Sequence, residues 1–237
     1  MIHLMYDCKY LFDIKPMNPL EIYQLTAGNE ICLNNFLAIK WGQLNRAIDR
    51  NIVNSAIEID SIEVLRYLCD RGYKIDDKDM KHIAKYGSIK CLKYAYGENC
   101  RWDIWSCYYA VENGHLDCLI YAHKKGCEWN SSTCRAAAAN GHLEVLKYLH
   151  GEGCPWNWAT CMFAADKGHL DCLVYAHEQG CKWNEWTCIK ASKNGHLDCL
   201  IYAHKQSCPI ELQECLIAAR GYNQQDCVKY LITLTEE

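Results

Sequence analysis

The side chains best suited to chemistry are histidines and cysteines, and they recur together. His123, Cys127 and Cys134 return as His150, Cys154 and Cys161, as His177, Cys181 and Cys188, and as His204, Cys208 and Cys215. Histidine and cysteine four residues apart can share one helix face, and imidazole with thiolates is a donor set that suits zinc. No copy supplies Cys-x-x-Cys or an obvious fourth ligand, so the zinc reading is incomplete. Hydrolysis would ask for Ser or Cys beside a histidine in one singular, asymmetric place. Here every candidate is repeated, and no Gly-Lys-Ser/Thr phosphate cradle is present. The expectation is a chain that is not an enzyme and calls for no cofactor and no metal.

The elements that position these residues are repeats. Asn113-Gly114-His115-Leu116-Asp117-Cys118-Leu119 comes back as Asn140-Gly141-His142-Leu143-Glu144-Val145-Leu146, then around Gly168-His169 and Gly195-His196, a spacing of 27 residues. Fainter copies stand at Tyr86-Gly87-Ser88 and Asp60-Ser61-Ile62 upstream, and at Gln225-Asp226-Cys227 one residue late downstream. A fixed period of this size signals stacked supersecondary units. The column Asp76, Asp103, Asn130, Asn157 and Asn184 (then Glu211) predicts helix N-caps. A first helix such as Ser131 to Ala139 carries the alanine column Ala110, Ala137, Ala164, Ala191 and Ala218, small enough to let the next helix approach. Asn-Gly stops it, with glycine in the left-handed conformation. A second helix from about Leu116 to Lys124 follows, and a second glycine column, Gly72, Gly126, Gly153 and Gly180, ends it. The predicted unit is helix–turn–helix–loop.

Composition limits the rest. The 237 residues are half hydrophobic and carry a net charge of -4, with no Lys/Arg block, so the footprint of a nucleic-acid binder is absent. The apolar runs are too short to span a bilayer. The start of the chain lacks the pattern of a secretory signal, which gives a reducing cytoplasm as the expected compartment. Most of the 18 cysteines fall in three columns. Equivalent positions in stacked repeats lie roughly 10 Å apart, beyond the roughly 4.4–6.8 Å between Cα atoms that a disulfide needs. Bridges within a column are excluded, and the cysteines are expected to serve as small buried hydrophobes. The recurring tyrosines, Tyr67 through Tyr202, read as a packing ladder whose hydroxyls reach solvent or backbone, and the column Trp102, Trp129, Trp156 and Trp183 as plugs between neighbouring repeats.

Asn140-Gly141-His142-Leu143-Glu144-Val145-Leu146-Lys147-Tyr148-Leu149, with Gly153-Cys154 where Gly-Ala is usual, resembles the turn and second helix of the ankyrin repeat. The resemblance covers roughly residues 51–235. The unit is six residues shorter than the usual 33, the loss falling between Cys127 and Cys134, where that family carries its β-hairpin finger. The short Cys- and Trp-rich form is similar to ankyrin-like proteins of giant DNA viruses of amoebae. The resemblance implies an all-α ankyrin-like helix–turn–helix solenoid, protein binding without catalysis, and a turn histidine that hydrogen-bonds to the neighbouring loop (His115, His142, His169, His196). With a viral origin, a host protein in the host cytoplasm becomes the expected partner, and a monomer the expected state.

Residues 1–50 do not fit the repeat and read as an irregular helical cap or docking segment, with 51–237 as the array. Asn18-Pro19-Leu20-Glu21-Ile22 is a loose match to an F-box, which would make the chain a ubiquitin-ligase substrate adaptor; a zinc-binding or thiol-rich protein is the other alternative. For a scaffold, the partner-binding candidates come from the first helix. With Cys134, Ala137 and Ala138 packed, the opposite face holds Ser132, Ala136 and Ala139. Its copies are Trp105, Tyr109 and Glu112; Ala159, Phe163 and Asp166; and Trp186, Lys190 and Lys193. In a solenoid this face lines the concave groove, and Trp105, Tyr109, Phe163 and Trp186 are its expected anchors.

Overall fold

The computed structural model describes residues 50–70, 72–98, 100 and 104–235. The reading of residues 1–50, with its F-box comparison, lies almost wholly outside the described residues, as do Trp102 and Asp103. All regular structure among the described residues is α-helical. The chain forms two compact units, one ending at Ser106 and one beginning at Cys107.

The first unit contains α1 (Arg50–Glu58), α2 (Ile62–Asp70), α3 (Asp77–Tyr86) and α4 (Ile89–Gly97). Helix α5 (Ile104–Glu112) carries the boundary. The second unit continues with α6 (Leu116–Lys124), α7 (Ser131–Ala139), α8 (Leu143–Gly151), α9 (Trp158–Lys167) and α10 (Leu170–Glu178). It closes with α11 (Glu185–Asn194), α12 (Leu197–Lys205), α13 (Leu212–Gly221) and α14 (Gln225–Thr233).

The pair α7–α8 shows why the sequence folds this way. Asn130 is the N-cap of α7: its side chain accepts from the Ser132 amide at 2.9 Å, while Thr133 Oγ1 accepts from the Asn130 amide at 3.3 Å. Such a reciprocal box satisfies two amides that the first helical turn leaves without partners. Asp76 forms the same box with Asp79, Asn157 caps with its side chain alone, and Asn184 stands at its cap position without a side-chain bond. After α7 the chain turns through Gly141, whose φ of 73° is costly for a residue with a Cβ. The His142 amide then reaches back to the Ala137 carbonyl at 3.0 Å, and α8 begins.

Packing follows the columns. Ala110, Ala137, Ala164 and Ala191 are buried, and the successive first helices α7, α9, α11 and α13 lie closely side by side. Successive second helices meet over less of their length. Leu119, Leu146, Leu173 and Leu200 are fully buried between the two rows. Each contributes roughly 1.5–3 kcal/mol relative to an exposed side chain.

Candidate partner-binding face

The repeating polar and aromatic residues are consumed by the joints between repeats. In the second unit the His150 ring stacks on Trp156 with centroids 3.9 Å apart, and Tyr175 of the next repeat hydrogen-bonds His150 Nδ1 at 3.0 Å. The same trio forms from His123, Trp129 and Tyr148 and from His177, Trp183 and Tyr202. His204 and Tyr230 continue it. The tryptophans therefore pack as plugs, as expected. Four tyrosine hydroxyls go elsewhere than expected: those of Tyr148, Tyr175, Tyr202 and Tyr230 meet an imidazole nitrogen rather than solvent or backbone. Each of these histidines therefore has Nδ1 engaged by a tyrosine of the next repeat. Among the described residues no group of three or more His, Cys, Asp or Glu side chains is placed to hold a metal ion.

The turn histidines occupy a second joint. His142 Nε2 donates to the Glu112 carbonyl at 3.0 Å, which fixes the proton on that nitrogen. Its ring lies against Gly114, where an added Cβ would sit 2.7 Å from it; His169 covers Gly141 and His196 covers Gly168 likewise. Burial holds the His169 imidazole below its usual range, against a carbonyl contact at Ala139 that favours the proton.

The cysteines divide. Cys118, Cys172 and Cys199 are buried hydrophobes, and burial pushes the Cys172 and Cys199 thiols up to about 11 and about 12. Cys107 and Cys127, however, are joined in a disulfide, with Cα atoms 6.7 Å apart. This corrects the expectation that the repeat cysteines act only as hydrophobes. The bridge joins two different columns within one repeat, so the separation that forbids bridges within a column does not apply.

What the joints leave open is one side of the first helices. On α9, Thr160, Cys161, Met162, Ala164 and Ala165 are buried while Phe163 and Asp166 are partly exposed. On α11, Trp186 is 44% exposed, and Lys190 and Lys193 are partly so. Tyr109 and Glu112 are partly exposed on α5. Trp105 is exposed as well, but it falls in the first unit. One position departs from the expected pattern. Ala136 is buried, because a methyl group is too short to rise past its neighbours.

The open side is organised electrostatically. Lys190 Nζ lies 3.7 Å from Asp166 Oδ1, and Asn194 Nδ2 donates to the same Oδ1 and to the Asp166 carbonyl, both at 3.1 Å. The Arg135 guanidinium sits 5.2 Å over the Phe163 ring, and the Lys193 ammonium 4.6 Å over Tyr222. Along one column the side chains run Glu112, Ala139, Asp166, Lys193, Arg220, so the acidic end lies near α5 and the basic end near α13. Trp158, Ile217 and Tyr222 are exposed apolar residues near these helices that the sequence did not single out. Ile217 shares the column of Tyr109 and Phe163, so the period could have found it. Trp158 opens α9 one residue before the columns considered, and Tyr222 stands where the period slips by one.

No family model matches the chain, and no curated protein matches it in sequence. Among solved structures it is similar to the ankyrin repeat domain of human ASB11, with a TM-score of 0.63 over 76% of this chain and 96% of that one. The identity between them is 13%, so the likeness concerns architecture. The chain shares the fold of an ankyrin repeat domain.

Proposed function

We propose that the chain is a non-enzymatic scaffold that binds a protein partner on the open side of its first helices. The observation that carries this reading is the set of apolar side chains left open on that side: Trp186 and Ile217, which are exposed, Phe163, which is partly so, and the exposed Tyr222 just past the end of α13. The repeats' own joints half-bury Trp129, Trp156 and Trp183 and bury the leucines and cysteines, so the open side chains are surplus to them. Aromatic residues among scattered charges are what protein-binding hot spots are made of. Close packing of the first helices and looser packing of the second makes the first-helix side the concave one.

Helix α7 suits the centre of the site. Its outward positions are Ser132, Ala136 and Ala139, all small, between Tyr109 on one side and Phe163 on the other. Helices two repeats apart leave a notch roughly 20 Å wide with an alanine floor. A partner segment with an apolar anchor there, basic toward Glu112 and Asp166 and acidic toward Lys193 and Arg220, matches the surface. The same reading has a monomer acting on a host protein in the cytoplasm, as the resemblance to giant-virus proteins implies.

The test is affinity capture from host-cell lysate with the intact chain and with alanine at Tyr109, Phe163 and Trp186, circular dichroism having shown that the variant folds. Loss of the captured protein is expected. Equal capture by both chains overturns the assignment of this face. Trp105→Ala, made separately, asks whether the first unit contributes.

A further inference from the structure

The repeats of the second unit place a cysteine of the first helix beside a cysteine of the closing loop, 20 residues on. The pairs are Cys107 with Cys127, Cys134 with Cys154, Cys161 with Cys181, and Cys188 with Cys208. The first is a disulfide and the other three are reduced. In the reduced pairs the two thiols are close enough to act on each other's titration. The helix thiol also points at the backbone of its partner: Cys134 Sγ donates to the Cys154 carbonyl and Cys161 Sγ to the Cys181 carbonyl, each at 3.9 Å. The loop thiol turns back to the N-cap of its own repeat, Cys154 to the Asn130 carbonyl at 3.4 Å, Cys181 to Asn157 at 3.2 Å and Cys208 to Asn184 at 3.3 Å. These are four copies of one arrangement, one closed and three open.

We propose that Cys134–Cys154, Cys161–Cys181 and Cys188–Cys208 are dithiol sites that a low-molecular-weight disulfide oxidises, each closing one helix pair into a covalent ring as Cys107–Cys127 already does. The two sulfurs are not equivalent. The helix cysteines have no exposed surface, whereas Cys154, Cys181 and Cys208 keep 3 to 4% of theirs, so the loop member is the point of entry. The neighbouring Cys134 favours the thiolate of Cys154, and Cys161 that of Cys181, while the same pairing, and burial after it, push both helix thiols up.

The steps balance. The loop thiolate attacks one sulfur of the small disulfide, the sulfur–sulfur bond breaks, and one small thiolate leaves. The helix sulfur, giving up its proton, then attacks the loop sulfur of the mixed disulfide, and the second small thiolate leaves. Two cysteine thiols are oxidised, one small disulfide is reduced to two thiols, and no other reactant enters. Every ring lies within a single repeat, so the joints between repeats and the open side of the first helices keep their geometry.

The full-length chain is equilibrated with oxidised glutathione, denatured, alkylated and measured by intact mass and non-reducing peptide mapping. The expected result is a loss of two hydrogens for each of the four pairs, with peptides joined 107–127, 134–154, 161–181 and 188–208. Cys118, Cys172 and Cys199 should be alkylated. The folded oxidised chain should melt at a higher temperature than the reduced one. Full alkylation of the three open pairs beside a closed Cys107–Cys127 would overturn the proposal, and so would joining across repeats, such as 127–134 or 154–161. A Cys154→Ser chain provides a second reading should full oxidation precipitate the protein. It should lose two fewer hydrogens and leave Cys134 alkylated; an unchanged loss would show that Cys134 has another partner.

Discussion

The two units meet the same steric problem at their turns with opposite residues. In the second, the turn is a glycine and the next repeat lays an imidazole over it, as His169 does at Gly141. In the first, the opening turn residue is Asp60, in the left-handed region at φ 52° where the next turn has Gly87, and the residue standing where the imidazole would be is Ser88. The Asp60 carboxylate fills the vacated space and accepts from the Lys90 and Cys91 amides at the start of α4, at 3.0 Å each. Ser88 Oγ donates to the Ile57 carbonyl across the joint. One large partner and one absent side chain are exchanged for two of middle size. The helix spacing tolerates either, provided both members change together.

That coupling gives the largest expected effect. Gly141→Asp alone puts a Cβ into the His169 ring, 2.5 Å from Nδ1, in a backbone conformation that resists side chains. It should destabilise the chain by about 2 kcal/mol in urea denaturation. His169→Ser alone leaves a gap and should cost about 1 kcal/mol. The double variant reproduces the first unit's solution and should recover at least about 1 kcal/mol of the summed loss. Strictly additive costs would mean that the two joints are not interchangeable, and the comparison would fail.

A second contrast lies in the closing loops. Where later repeats stack histidine on tryptophan, the first unit has Cys69 and Ile75, with Tyr94 in the place of the partner tyrosine. A half-open cleft of ≈ 640 Å³ lies at this pair, lined by Cys69, Tyr73, Ile75, Asp77, Glu98 and Cys100. Polar residues brace that end instead. Arg50 pairs with Asp76 and lies 3.6 Å from Asp79, and the Tyr73 hydroxyl donates to Asp79 at 2.7 Å. Installing Cys69→His with Ile75→Trp builds the missing rings against a tyrosine already in place. Cavity filling of this kind should raise stability by about 1 kcal/mol. A loss of stability would show that the polar brace and the aromatic stack exclude one another.

The repeats, their helices and the N-caps were legible because each is a local rule copied at a fixed interval: Asn130 before a helix, Gly141 after it, Leu146 beneath it. The partners of the tyrosine hydroxyls were not. Tyr175 meets His150 across 25 residues, and neither periodicity nor propensity states which columns face each other across a joint. The pairing of Cys107 with Cys127 was hidden for the same reason, since column spacing describes distances along the stack and not within a repeat. The open side of the first helices was legible by subtraction, once Cys134 and Ala137 were assigned inward. Ala136 marks the limit of subtraction, because a side chain that does not pack is not thereby exposed.

The smallest effect concerns pH and again separates the joints. Burial depresses the affinity of His169 for a proton in the folded chain, and His142 and His196 in the neighbouring turns act in the same direction once charged. In the unfolded chain the imidazole titrates near about 6.5. As pH falls below that value the unfolded state takes up the proton first, so stability decreases until the lower folded value is passed; above about 7 it is flat. Ser88 at the equivalent place in the first unit does not titrate. The Gly141→Asp/His169→Ser chain should therefore lose less of its urea midpoint than the parent between pH of about 7.5 and about 5.5. An identical decline in both chains would assign the acid sensitivity to other groups and leave the turn imidazole with a purely steric role.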